Sequence, residues 1–340
     1  MTSPGPLQTA LIFIRRWGHF FLLLGFLALL AKVIDWSAFF AGLGRVNLLV
    51  ILYCLVLEGL FYSFESVRVY FLGQRRYPFA LIFKSKFLSS LLANFLPGLA
   101  VAEMTRIFLL DAHKPGGKFY VALLLVANRI YGLFSLAGLF LIAFVLGARS
   151  LPPQLFAFRE LIVLGCALVL AIPLAFRFRP LRGLLISLVR KSHGLLRRLS
   201  RTFYIAMANF SRVSVWWIAT ATSMLTSFIS VLQFWIVANM VGIDLSFWTW
   251  TLWTPLIAIV TFLPIGFGAF GSQEAGVVAM SQILGEPLEP FLVLSVIIHF
   301  IRIAGSLPGL LFLSDGLELL SRTFKNVKFI RRFRAQSLKN

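Results

Sequence analysis

The feature that most constrains this chain is a succession of apolar stretches, each about one bilayer span long, punctuated by short clusters of Lys and Arg. A helix crosses the hydrocarbon core with roughly 20 consecutive apolar residues. Six stretches read as full spans: His19–Ile34, Asn47–Val67, Phe119–Gly147, Glu160–Phe176, Ser214–Val241 and Glu289–Leu320. With 59% of its 340 residues apolar and 13% charged, the chain carries more apolar surface than a water-soluble domain of its length can bury. The expected fold class is an all-α polytopic membrane protein. The first stretch, with Arg15-Arg16 ahead of it, shares the outline of a cleaved signal peptide. Lys32 and Asp35 make a poor cleavage site, so a retained helix is expected.

The net charge of +20 does not point to nucleic acid, because it comes in clusters between apolar runs and no recognition motif accompanies it. If all six spans cross, the termini and the loops 68–86, 111–118 and 177–212 share one face. That face holds 25 of the 32 Lys and Arg residues. The other holds Lys32, Arg45, Arg149 and Arg159, with Asp244, Glu286 and Glu289 close by. The asymmetry places the termini in the cytoplasm. The basic segment from Arg177 to Arg212 reads as a topology anchor or an amphipathic helix on the inner leaflet. Trp216, Trp217, Trp248, Trp250 and Trp253 read as an interfacial aromatic belt. Cys54 and Cys166 sit inside apolar runs and read as small core residues.

Two more apolar stretches, Phe87–Leu110 and Phe247–Leu284, are broken near their middles by Pro and Gly. Each is expected to form two half-helices that re-enter on the side they left, although paired full spans would keep every loop on the same face. The two resemble one another. The first reads Asn94-Phe-Leu-Pro97-Gly98-Leu-Ala-Val-Ala-Glu103-Met-Thr-Arg106, and the second Thr261-Phe-Leu-Pro264-Ile-Gly266-Phe-Gly268-Ala-Phe-Gly271-Ser-Gln-Glu274. Each precedes a span with an embedded arginine, Arg129 in one and Arg302 in the other. The chain thus divides into a half-repeat at 1–150, a second at 151–320 and a basic tail at 321–340, all in one transmembrane domain. Three crossings per half invert the second half, and an inverted repeat with discontinuous helices is a transporter signature.

The Asn94-x-x-Pro97-Gly98 block with Glu103 and Arg106, and the Pro264-x-Gly266-x-Gly268-x-x-Gly271-x-x-Glu274 block, resemble those of the lysylphosphatidylglycerol synthase transmembrane, or flippase-like, family. That family includes the membrane half of the multiple peptide resistance factor. The resemblance covers roughly residues 10–320 and implies a polytopic plasma-membrane protein that moves or handles lipids. It also implies arginine at the positions of Arg68, Arg129 and Arg302. Ala100-Val-Ala stands where a Gly-Gly pair is common. With no synthase domain after residue 340 of this sequence, aminoacyl transfer to lipid is not expected.

Arginine inside a membrane is costly, about 2.5–3.5 kcal/mol at a helix centre. Arg129 and Arg302 lie about 15 and 20 Å into their spans at 1.5 Å per residue. Two readings stand: structural ion pairs, Arg129 with Glu103 and Arg302 with Glu274, or guanidinium forks that hold a lipid phosphate in a central cavity. Asn94, Glu103, Arg106, Arg129, Glu274 and Arg302 are therefore the candidate substrate-binding residues. Pro97, Gly98, Pro264, Gly266, Gly268 and Gly271 supply the irregular backbone, which at membrane depth must be buried or line a wet cavity. His299, one turn before Arg302, is either a proton relay or a partner in a helix–helix hydrogen bond. Glu58 is expected to pair with an arginine, and Glu65 with Arg68.

These residues suit a lipid flippase or flippase-like transporter for an anionic headgroup. No Gly-rich nucleotide loop with Lys is present, so energy would come from ion gradients or downhill lipid flow. A lipid-modifying enzyme would need a nucleophile or metal cluster, and the four histidines are scattered. No catalytic residue, metal or cofactor is expected. A non-transporting partner of a lipid or envelope synthase remains the alternative, and a homo-oligomer is compatible with either.

Overall fold

The computed structural model describes residues 34–95, 99–114, 117–146, 209–210, 212–261 and 271–312, with residues 164, 165 and 167. The described residues form helices α1 (Trp36–Leu43), α2 (Leu48–Leu72), α3 (Phe79–Phe95), α4 (Leu99–His113), α5 (Lys118–Leu146), α6 (Val213–Val241), α7 (Phe247–Thr261), α8 (Ser272–Leu284) and α9 (Leu288–Ser306). A 3-10 segment, Leu307–Phe312, prolongs α9. Four of these are long and apolar enough to cross a membrane: α2, α5, α6 and α9 with its extension. They coincide with four of the expected spans. The remaining two, His19–Ile34 and Glu160–Phe176, lie outside the described residues save for a few positions of the latter.

Each broken stretch is two packed helices, α3 on α4 and α7 on α8. Their arms have 17, 15, 15 and 13 residues, so each rises only about 20–26 Å. That is short of the hydrocarbon thickness of about 30 Å.

The bundle has a consistent sense of direction. On α2 and α6, Glu58 meets Gln233 while Arg68 meets Ser223, so the two helices run antiparallel. Arg76 lies against the Tyr120 ring and Arg68 bonds Asn128, so α5 runs back along α2 and parallel to α6. Gly42 abuts Val293 and Gly305 abuts Glu58, so α9 runs parallel to α2. When α2–α5 are matched in order with α6–α9, each substantial packing pair has its counterpart. Thus α2 on α3 answers α6 on α7, α4 on α5 answers α8 on α9, and α2 on α5 answers α6 on α9. Across the halves, α5 on α6 answers α9 on α2, α5 on α7 answers α9 on α3, and α2 on α6 answers itself.

The packed interior is divided along the helix axes. One apolar cluster gathers Ile51, Cys54, Phe140, Phe234, Trp250, Val277 and Leu294, and another gathers Val69, Leu72, Tyr77, Leu124, Phe134 and Ala219. On α2 the residues between the clusters are Glu58, Tyr62, Glu65 and Arg68; on α6 they are Thr222, Ser223, Thr226, Ser227 and Ser230. A polar belt therefore crosses the bundle between two apolar cores.

Two expectations need correcting. The stretch 68–86 is not a loop: α2 continues to Leu72 and α3 starts at Phe79, leaving only residues 73–78 between them. Charged residues ended the apolar run in the sequence, but Arg68 and Lys86 are turned inward to polar partners and the helices continue through them, while Arg75, Arg76 and Lys84 are exposed. Nor do the five tryptophans form one belt. Trp217 and Trp248 are exposed, whereas Trp216, Trp250 and Trp253 are buried in the interior. Cys54 is fully buried, as a small core residue would be. Cys166 and most of the basic segment from Arg177 to Arg212 lie outside the described residues.

Candidate functional site

The polar belt opens into a cavity of about 310 Å³ whose walls come from both halves. The first half contributes Glu65, Lys86, Asn94, Glu103 and Arg129; the second contributes Ser230, Gln233, Thr254, Thr261 and Arg302. Arg68, Lys86 and Arg129 lie four to eleven residues from the ends of α2, α3 and α5, about 6–17 Å along their axes. All three are measured from the same end of the bundle, the one carrying residues 73–78.

Glu65 is the hub of the first half. Its carboxylate pairs with Lys86 at 2.5 Å and with Arg106 at 3.1 Å. It also accepts a hydrogen bond from the Asn128 side-chain amide at 3.1 Å. The Asn128 carbonyl oxygen accepts from Arg68 Nε at 2.6 Å, and Arg68 Nη1 donates to the Ser223 hydroxyl on α6 at 2.6 Å. Glu65 and Arg68 are thus joined through Asn128 and not by the direct ion pair that their spacing suggested. Asn128 holds both at once because its amide offers a donor to the carboxylate and an acceptor to the guanidinium. The Lys86 ammonium also stands over the Phe61 and Tyr62 rings, at 5.7 and 5.0 Å from their centroids.

Arg129 pairs with Glu103 at 2.6 Å, and Glu103 also reaches Arg106 at 3.5 Å. The Arg129 side chain is 42% exposed, whereas that of Arg106 is fully buried. Arg106 does not line the cavity. It stands one layer behind Glu65 and Glu103, and its Nε and Nη2 have no hydrogen-bond partner among the described residues. Asn94 lines the cavity and donates to the Ser306 hydroxyl at 3.1 Å, tying the first broken stretch to α9.

The second half is arranged differently. Arg302 Nη1 donates to the Gln273 carbonyl oxygen at 2.5 Å, and Gln273 donates in turn to the Ser295 hydroxyl at 2.9 Å. Glu274 does not pair with Arg302. Its carboxylate meets His299 Nε2 at 2.9 Å and accepts from Ser295 at 2.9 Å and from the Gly271 amide at 2.6 Å. Glu274 and His299 are buried and do not line the cavity. Glu58, expected beside an arginine, accepts from Gln233 at 3.1 Å. Gly271 immediately precedes α8 at φ +92°, a backbone that side-chain-bearing residues seldom adopt. Pro97, Gly98, Pro264, Gly266 and Gly268 lie outside the described residues.

Lys86, Asn128, Gln233 and Gln273 were not singled out from the sequence. Lys86 was counted among loop charges because it follows a basic run. Asn128 is the residue before Arg129, and its register on the next face of α5 was the available signal. Gln273 was passed over because the adjacent Glu274 offered a charge. Among the described residues no group of three or more His, Cys, Asp or Glu side chains is placed to hold a metal ion.

The arrangement brings guanidinium and ammonium groups from α2, α3, α5 and α9 around one half-open cavity of mixed polar and apolar lining, between packed apolar ends. That geometry suits recognition of an anion. The family model described as the lysylphosphatidylglycerol synthase TM region matches residues 11–309. No curated protein and no solved structure matches the chain. With most of its length matched, the chain belongs to the lysylphosphatidylglycerol synthase transmembrane-region family, and it is a helical membrane protein of that family.

Proposed function

We propose that this member of the lysylphosphatidylglycerol synthase transmembrane-region family is a lipid flippase-like transporter that holds an anionic lipid headgroup in the cavity between its two halves. The observation that carries the reading is that Arg129 and Arg302, one from each half, line the same cavity. A phosphate there would accept hydrogen bonds from Arg129 while Glu103, now at 2.6 Å, yields its place. Arg302 is held by the neutral amide of Gln273, so an incoming phosphate need not displace a charge from it.

In this reading the two halves are inverted repeats, α3–α4 and α7–α8 are re-entrant hairpins, and the cavity is exposed alternately as the halves rock. The antiparallel course of α2 and α6 supports the inversion, and the short arms of the broken stretches support re-entry. The termini and the basic connections face the cytoplasm of the plasma membrane, in keeping with the charge asymmetry. Translocation makes and breaks no covalent bond, so no catalytic residue is assigned.

Lipid scrambling in vesicles reconstituted with wild type, Arg129→Ala and Arg302→Ala tests the reading. The expected result is a fluorescent anionic lipid that wild type flips and monodisperse variants do not. Variants that flip at the wild-type rate would make both arginines structural. No movement of any headgroup class by wild type would favour the non-transporting partner of a synthase.

A further inference from the structure

The charges around the cavity do not balance, and the imbalance has a size. Arg68, Lys86, Arg129 and Arg302 line it together with Glu58, Glu65 and Glu103. Arg106 lies one layer behind, in contact with two of those carboxylates. Among the described residues, five cations therefore face three carboxylates. Glu274 does not reduce the excess, because it is turned away from the cavity and held by His299, Ser295 and the Gly271 amide. Glu58, Glu65, Arg68 and Arg106 are at most 6% exposed, whereas Lys86, Glu103 and Arg302 are partly buried and the Arg129 side chain is 42% exposed to the cavity. Arg106 further has two buried nitrogens, Nε and Nη2, without an acceptor among the described residues. Buried charge without a counter-charge is strongly disfavoured. An anion carrying two negative charges would bring this cluster to neutrality.

We propose that the site is built for a headgroup ending in a dianionic phosphate monoester, in preference to the monoanionic phosphodiester of most anionic lipids. This rests on the anion-binding reading of the same cavity. A monoester presents three terminal oxygens and about two negative charges near neutrality, with a second ionisation near pH 6. Two negative charges match the excess of two cations. Three oxygens suit forked donors arriving from several helices. A phosphodiester offers one charge and leaves half the excess unmet.

The test is binding to the purified full-length protein, followed by its thermal unfolding midpoint at graded ligand concentrations. The probes are dioctanoyl phosphatidic acid, dioctanoyl phosphatidylglycerol and inorganic phosphate. At about pH 7.5, phosphatidic acid should bind at least about tenfold more tightly than phosphatidylglycerol. At about pH 5 the monoester has lost its second charge, and the two lipids should bind alike. Any protein group that changes charge over that range acts on both lipids, so the ratio of affinities isolates the ligand's own charge. Lys86→Met lowers the excess by one and should erase most of the preference. Glu103→Gln raises it by one and should tighten phosphatidic acid further. The two variants move oppositely, so a general loss of structure cannot imitate the pattern.

Equal affinities at about pH 7.5, or a preference that survives unchanged at about pH 5, would overturn the proposal while leaving lipid transport intact. Inorganic phosphate that binds as tightly as phosphatidic acid would keep the dianion and overturn the lipid as its source. A clear preference for phosphatidic acid in a protein that scrambles nothing would keep the ligand class and remove the transport.

Discussion

Neutralising Glu65 should be among the most damaging single changes in the described structure. Glu65→Gln keeps the shape of the side chain but removes the charge that Lys86 and Arg106 share, at 2.5 and 3.1 Å. Neither partner can turn to water, since the Lys86 side chain is 13% exposed and that of Arg106 is fully buried. Glu103 reaches Arg106 only at 3.5 Å and is already committed to Arg129. Breaking a buried ion pair by removing one member costs about 3–5 kcal/mol, because an uncompensated charge is left inside. At roughly 2–4 °C per kcal/mol for domains of 150–250 residues, the unfolding midpoint in detergent should fall by about 6–20 °C. Lys86→Met in the same chain removes the stranded ammonium and leaves Asn128 and Arg106 to the glutamine oxygen. The double variant should therefore be more stable than Glu65→Gln alone, and the cycle of four proteins measures the coupling. A Glu65→Gln midpoint within about 2 °C of wild type, or a double variant no better than the single, would refute the claim that Glu65 supplies the buried counter-charge of Lys86 and Arg106.

Other consequences are local. Gly309→Ala places a methyl group 2.6 Å from the Phe87 carbonyl oxygen and 3.1 Å from the Leu88 nitrogen, both backbone atoms of α3. Overpacking of that kind costs about 1–3 kcal/mol, and the same melting assay should show it. Gly271→Ala must hold φ +92° with a side chain, a strain of about 1–3 kcal/mol, and should lower the midpoint without removing lipid binding. Gln273→Leu leaves Arg302 without its present acceptor; scrambling should fall while Gln273→Asn retains part of it. Asp35 caps α1, and the hydrogen bond from Ser37 holds its carboxyl below its ordinary value. Its contribution is complete above the ordinary carboxylate range, near pH 3.9, and is lost as pH falls through the lowered value. Asp35→Asn should keep the cap and abolish that acid-side dependence, read by unfolding midpoints across an acid titration.

Much of the fold was legible because lipid imposes a simple code. Long apolar runs gave four helices at nearly the expected positions, since a helix is the way to satisfy every backbone group in hydrocarbon. The Pro and Gly breaks divided the two remaining apolar stretches for the same reason, applied locally. Helix ends near charges were the weak point. Hydropathy treats Arg68 and Lys86 as a signal to leave the membrane, yet α2 and α3 carry them inward, while Lys84 stays exposed. Two of those cations, Arg68 and Lys86, meet Asn128 and Glu65 there. Such partners come from residues up to 60 positions away, and a linear pattern does not contain them. The aromatic assignment failed similarly: Trp250 and Trp253 are one helix turn apart, and α7 turns both into the core.

The two glutamates show how a symmetric sequence argument can succeed in one half and fail in the other. Glu103 and Glu274 follow their prolines by 6 and 10 residues, and that offset decides what each can touch. Glu274 is the third residue of α8. The first turn of a helix has backbone amides without partners, and a carboxylate at this position folds back to satisfy one. It does so at the Gly271 amide, and its other oxygen is taken by Ser295 and His299. Glu103 is the fifth residue of α4, past the amides that lack partners, so its carboxylate is free to turn sideways to Arg106 and Arg129. The arginine of the second half is left to Gln273, one residue earlier in α8. A frame that repeats its helices thus carries unlike charges: a carboxylate-held guanidinium on one wall of the cavity and an amide-held one on the other.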